Sequence, residues 1–318
     1  MKLAFLFPGQ GAQKVGMGRA LAEAHPEARA VFEAADRALG FALTELCWNG
    51  PAEELKKSMH TQPALLAHGV AAWRLLDGAG LKPAFVAGHS LGEYTAAVAA
   101  GAIGFEDAIR LVRRRGELMY EAGLERPGAM AAILGLDTAA VEAACADAAS
   151  AGVVRAANLN APGQVVISGE VAAVERACEL ARERGARRAI RLEVSGAFHS
   201  PLMDSAAAGL SEALGRVTLR DAACPIIANV SAAPVRRTEE IRDALERQLL
   251  GAVRWEESMR RLIAEGATFV ELGTGTVLRG LLRSIDREAV CHNVDDPESL
   301  EATRSALATP VGPPRGDA

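Results

Sequence analysis

Phe85-Val86-Ala87-Gly88-His89-Ser90-Leu91-Gly92-Glu93-Tyr94 sets an apolar run before a Gly-x-Ser-x-Gly pentapeptide and leads into an alanine-rich apolar stretch. The pattern predicts a short buried strand, a sharp turn and a helix. A serine oxygen on such a turn must stand clear of its own backbone. Gly88 and Gly92 remove the two Cβ atoms that would collide as the chain doubles back. The following helix aims free N–H groups and the positive end of its dipole at the serine, where an anion can form. The unit implies an α/β fold with a nucleophilic Ser90, although the pentapeptide alone also fits a plain serine-containing turn.

The chain of 318 residues is long enough for one large α/β domain, or for a large domain carrying a smaller one. Apolar residues make up 50% and charged residues 24%, an ordinary globular balance. A net charge of -5 argues against a general nucleic-acid binder, so any basic docking surface must be local. Cys47, Cys145, Cys178, Cys224 and Cys291 lie far apart with no Cys-x-x-Cys spacing. They are expected as reduced thiols of a cytoplasmic protein and supply no zinc framework. Residues 3–7 are too short for a signal-peptide core and stop at Pro8-Gly9. The longest stretch without a charge, residues 58–73, includes His60, Gln62 and Pro63, so no membrane span is expected.

Residues 2–7 read as a buried strand ending at Pro8-Gly9-Gln10-Gly11-Ala12-Gln13, a turn whose amides a ligand can approach closely. Helices are predicted over 18–40 and 51–80, the second starting near Thr61-Gln62-Pro63. A helix over 105–122 carries an apolar stripe of Ala108, Leu111, Val112, Leu118 and Met119, and Arg115 sits inside that stripe. Arg113 and Arg114 point elsewhere and are expected in solvent. An inward guanidinium needs an anion, either a structural Asp or Glu or a carboxylate brought by substrate.

From 127 to 194 the pattern becomes strand 130–134, helix 138–149, strands 153–159 and 164–168, helix 171–184 and strand 189–194. This βαββαβ order is the ferredoxin-like split motif, inserted into a large domain made of 1–126 and 195–308. Beyond it come helices 201–215, 238–250, 255–265 and 277–285, with strands 225–229, 268–271 and 289–294. The Pro- and Gly-rich end, 309–318, is expected as a disordered tail.

His199 follows a strand end and comes after the serine, the chain order of hydrolase bases. An acid to complete a triad is poorly supplied, because Asp107 and Asp137 sit at helix starts and read as caps. A Ser-His dyad with the imidazole held by a backbone carbonyl fits better.

The segments Phe7-Pro8-Gly9-Gln10-Gly11-Ala12-Gln13, Gly88-His89-Ser90-Leu91-Gly92-Glu93-Tyr94, Arg115-Gly116, Asn160-Ala161-Pro162-Gly163-Gln164-Val165-Val166-Ile167-Ser168-Gly169 and Gly196-Ala197-Phe198-His199, with Gln248, occur in this order. Together they resemble the malonyl-CoA:acyl carrier protein transacylases of fatty-acid and polyketide synthesis, over nearly the whole chain. The resemblance implies an α/β-hydrolase-like large domain with a mostly parallel sheet. It implies that Ser90 takes malonyl as an ester, with His199 as base and the Gln248 carbonyl orienting it. The N–H groups of Gln10 and Leu91 would form the oxyanion hole, and Arg115 would clamp the malonyl carboxylate. Phe198, Met119 and Asn160 would line the acyl pocket, with Phe198 crowding an α-methyl group. No cofactor is implied, since the substrates themselves carry CoA and phosphopantetheine.

The carrier protein is expected at a basic patch, either Arg182, Arg184, Arg187, Arg188 and Arg191 or Arg279, Arg283 and Arg287. The chain is expected as a monomer. Rival readings are a polyketide acyltransferase acting in trans, a serine thioesterase or esterase, and a non-catalytic carrier-binding module.

Overall fold

Two apolar runs, too hydrophobic on both faces to border solvent, form the centre of a sheet: β1 (Lys2–Phe7) and β2 (Phe85–Gly88). In the computed structural model, which describes residues 1–308, they are followed by β3 (Gly128–Leu134), β4 (Val154–Ala161), β5 (Gln164–Glu170) and β6 (Arg188–Arg191). The chain then supplies β7 (Ile226–Ile227), β8 (Pro234–Val235), β9 (Ala267–Leu272) and β10 (Cys291–Val294). The expected tail lies outside the described residues. Among those residues no helix is long and apolar enough to cross a membrane.

The larger sheet has the order β10-β9-β1-β2-β7-β8, and only its β7–β8 pair is antiparallel. Phe7 pairs with Gly88, so the Pro8–Gln13 turn and the Ser90 turn leave the sheet side by side at the carboxyl ends of the strands. That edge is where open parallel sheets place their ligands.

The smaller sheet has the order β4-β5-β3-β6, antiparallel throughout, as the ferredoxin-like motif requires. Its period-two alternation gives the two faces different work. Ala129, Ala131 and Ile133 join the core beneath helices Thr138–Asp147 and Val171–Glu183, whereas Met130 joins the main core. Strand β4 is tied to the large sheet's side by Leu159 N–H to Val253 O at 2.9 Å and Val253 N–H to Ala157 O at 2.8 Å.

Several element limits differ from the sequence reading. The expected helix over 18–40 is two, Arg19–Ala24 and Pro26–Leu39, because Pro26 keeps His25 extended and starts a new helix. The helix expected from Thr61 begins earlier, as Ser58–Gly78, and holds Pro63 in its interior. Pro63 has no N–H for the Met59 carbonyl, and Arg113 Nη1 donates to that oxygen at 3.1 Å instead. Arg113 therefore does not stand in solvent: it also pairs with Glu117 at 2.7 Å and lies 5.2 Å from the Phe41 ring centroid. Asp137 caps its helix by accepting from Ala140 N–H at 2.7 Å. Asp107 does not cap, since Gly104 holds that place and Asp107 lies inside the first turn. Helices Leu43–Asn49 and Pro297–Ala308 carried too weak a pattern to be read beforehand.

Candidate active site

Ser90 has φ 51°, a left-handed conformation that a side chain adopts only where the surroundings enforce it. The two glycines supply the room. A Cβ on Gly88 would lie 1.9 Å from the Gly92 carbonyl, and one on Gly92 would lie 2.0 Å from Phe7 O. Gly9 is bound by the same crowding, with its absent Cβ 2.3 Å from His89 O. The Gly-x-Ser-x-Gly turn and the Pro-Gly-Gln-Gly turn are thus one backbone-on-backbone unit. Asn229, just past β7, pins it: Oδ1 accepts from Ser90 N–H at 2.8 Å and Nδ2 donates to Gly88 O at 2.7 Å.

Ser90 Oγ lies 2.8 Å from His199 Nε2, although the two residues are 109 positions apart. The Nδ1 atom of His199 faces two carbonyl oxygens, Gln248 at 2.9 Å and Gly251 at 3.1 Å. Two acceptors there require the proton on Nδ1, which leaves Nε2 as the acceptor for the serine hydroxyl. Helix Thr238–Gln248 ends at Gln248 and not at the expected 250, so that carbonyl is among those without a helical partner. Burial, with the nearby Arg115 charge adding to it, pushes the imidazole down to about 3. Neutral His199 is therefore the form present near neutrality, and it can accept a proton from Ser90.

Arg115 is 1% exposed and forms no ion pair among the described residues. Neutral oxygens surround it: Gln62 Oε1 at 2.8 Å from Nη1, with Gln248 Oε1 at 2.9 Å and Ser90 Oγ at 3.1 Å from Nη2. Its Nε–H has no partner, and its Cζ lies 5.4 Å from the Tyr94 ring centroid. Of the two anions the sequence allowed, a structural Asp or Glu in direct contact is absent among the described residues. Glu93 supplies opposite charge one residue away, beyond Gln248, whose Nε2 donates to Glu93 Oε2 at 2.8 Å.

A cleft opens over Ser90 and His199. Gln10, His89 and Phe198 line it from the large-sheet side, and Met130, Asn158, Leu192 and Val194 from the smaller sheet. Among the described residues, neither the Gln10 N–H nor the Leu91 N–H has a hydrogen-bond partner. Phe198 lies in the cleft wall. Met119 and Asn160 do not line the cleft: Met119 Sδ accepts from Gln62 Nε2 at 3.2 Å, and Asn160 Oδ1 lies 2.8 Å from His89 Nε2. Met119 thus packs behind Gln62, a partner of Arg115, and Asn160 steadies His89 in the cleft wall. Sequence reasoning missed Asn229, Gln62 and the part played by Glu93. The one available signal was polarity inside otherwise apolar runs, as with Gln62 and Glu93.

Residues 4–292 match the family model described as the acyl transferase domain. The chain belongs to the acyl transferase family. This acyl transferase is 49% identical over 308 residues to the malonyl CoA-acyl carrier protein transacylase of Bacillus subtilis, covering 96% of this chain and 97% of that one. Its fold is similar to the crystal structure of an acyl carrier protein S-malonyltransferase from Vibrio cholerae, with a TM-score of 0.92, 45% identity and coverage of 95% and 100%. A type II polyketide-synthase acyl carrier protein in complex with its malonyl-transacylase is similar at TM-score 0.93 and 43% identity, covering 96% and 100%.

Proposed function

We propose that this acyl transferase moves malonyl from malonyl-CoA to the phosphopantetheine thiol of an acyl carrier protein, through an ester on Ser90. The observation that carries the reading is the fully buried Arg115, a cation without an anion, beside a serine hydroxyl already bonded to a neutral imidazole. In the first half-reaction His199 Nε2 takes the Ser90 proton as Oγ attacks the thioester carbonyl, and CoA leaves as its thiol. In the second, the carrier thiol gives its proton to His199 and attacks the seryl ester, and His199 returns that proton to Ser90 Oγ as it leaves. The unpartnered Gln10 and Leu91 amides suit the oxyanion, each contributing roughly 3–4 kcal/mol to the transition state. The Arg115 fork suits the malonyl carboxylate, and its unmatched Nε–H supports that role.

We further assign 1–126 with 195–308 as the unit bearing the chemistry and 127–194 as the unit that walls the cleft; their separate sheets support the division. The carrier protein docks at the Arg182–Arg191 face, which leads directly to Leu192 and Val194 in the cleft wall. Arg184 and Arg191 are paired there with Asp147 and Glu175, whereas Arg187 and Arg188 form no ion pair among the described residues. The alternative at Arg279 and Arg283 has no such link to the cleft. The protein works as a cytoplasmic monomer without a cofactor, and its product serves fatty-acid synthesis. A polyketide role differs only in which carrier is loaded.

Intact-mass spectrometry after exposure to malonyl-CoA tests the reading. Wild type gains one malonyl group, which a holo carrier protein then removes, and Ser90→Ala gains none. Covalent label on Ser90→Ala refutes the nucleophile, and rapid release of free malonate without carrier favours the hydrolase.

A further inference from the structure

Glu93 is a buried carboxyl beside Ser90 that takes no part in the proposed cycle. It lies in the first turn of helix Gly92–Ala99 and is 1% exposed. Both of its oxygens meet donors: Oε2 accepts from Gln248 Nε2 at 2.8 Å, and Oε1 accepts from Asn229 N–H at 3.3 Å. Gln248 Nε2 also donates to Ser90 O at 2.7 Å, which commits both amide hydrogens to that side. The amide oxygen is thereby turned to Arg115 Nη2 at 2.9 Å. Gln248 therefore serves two groups through different atoms, its backbone carbonyl holding His199 and its side chain holding Arg115.

We propose that Glu93 is a positioning residue whose ionised carboxylate fixes the Gln248 amide, and through it the Arg115 guanidinium that receives the substrate carboxylate. The inference rests on the role given to Arg115 above. A protonated carboxyl weakens both contacts, because only its carbonyl oxygen stays a strong acceptor and neither N–H offers its new O–H an acceptor. Once Gln248 is free to turn, its NH2 can face Arg115, setting donor against donor. An acetyl group makes no use of the clamp and suffers less.

The charged or titratable groups around Glu93 are Arg115, from helix Phe105–Glu125, and its own neighbour Tyr94. Gln248 and Asn229 present neutral atoms. Burial pushes Glu93 up to about 7 against the pull of its hydrogen bonds and Arg115, and pushes Tyr94 up to about 12. The ionised form of Glu93 is thus lost as pH falls through neutrality, whereas His199 stays neutral far below it.

The test is the rate of Ser90 ester formation from malonyl-CoA and from acetyl-CoA, followed by rapid-quench intact mass between about pH 5.5 and 8.5 in wild type, Glu93→Gln and Glu93→Ala. The malonyl-to-acetyl rate ratio of wild type is expected to fall roughly tenfold or more towards the acid end. Glu93→Gln mimics the protonated carboxyl, so its ratio is low and flat across the range. It also keeps the shape of the site should Glu93→Ala fail to fold. A wild-type pH dependence retained in Glu93→Gln, or equal losses for both substrates in every variant, overturns the proposal. Wild type that forms no malonyl ester at Ser90 instead rejects the underlying reading, before any variant is compared.

Discussion

Replacing Arg115 with alanine separates a clamp from a merely structural cation. Arg115 is sealed from water and touches only neutral oxygens, so an incoming carboxylate meets its full charge. A hydrogen bond to a charged group contributes about 1.5–3 kcal/mol net, and each 1.36 kcal/mol is tenfold in rate. The substitution should therefore lower malonyl loading relative to acetyl loading by roughly 10- to 150-fold, nearer the upper end because the site is dry. Arg115→Lys should recover little of this, since an ammonium does not present the planar fork. A second readout follows from the same charge. Arg115 is the second cause, after burial, that holds His199 at about 3. Removing the cation makes the imidazolium less unfavourable, so the acid limb of acetyl loading moves to higher pH. The assay is kcat/KM for both CoA thioesters across pH, with thermal melting to confirm the fold. Equal loss for the two substrates, with an unmoved acid limb, would refute the reasoning.

Gly88→Ala puts a Cβ 1.9 Å from the Gly92 carbonyl, and should cost about 3 kcal/mol or more, seen as a fall of roughly 6–12 °C in melting temperature. Asn229→Ala leaves Ser90 N–H and Gly88 O without their partner, so it should cost about 1–3 kcal/mol of stability and slow ester formation on Ser90. Phe198→Ala opens the cleft wall and should raise methylmalonyl loading relative to malonyl by roughly tenfold, measured by competition between the two CoA thioesters.

Features governed by local chain geometry were legible in the sequence. The strand–turn–helix at Ser90, the doubled glycines and the βαββαβ insertion each follow from spacing and period within a few dozen residues. Arg115 was also legible, because a charge inside an apolar helical stripe conflicts with its neighbours whatever the fold. Asn229 was not. Its two side-chain hydrogen bonds reach 139 and 141 positions back along the chain, and β7 beside it pairs through only Ile226–Ile227. Gln62 and Glu93 are polar residues in apolar helices, but that signal is weak by itself, and nothing local says that both converge on Arg115 and Gln248. Arg113 misled for the opposite reason. Its helical position pointed to solvent, but an unserved carbonyl one turn before Pro63 drew it onto the neighbouring helix.

The amides around Arg115 explain how a site can hold a buried cation and still want an anion. Leaving a charge inside a protein without compensation costs several kcal/mol, and a carboxylate in direct contact would remove most of that cost. It would also neutralise the guanidinium, so a substrate carboxylate would have to displace a resident one and gain little by binding. Gln62 and Gln248 offer partial negative charge from their oxygens while adding no net charge. Glu93 stands one residue further back, close enough to favour the cation and kept out of its hydrogen-bonding shell by Gln248. The guanidinium is thus solvated by dipoles and left electrically open towards Ser90. On the proposed reading of Arg115, selectivity for an acid-bearing acyl group would follow from that division between dipoles at contact and charge at a distance.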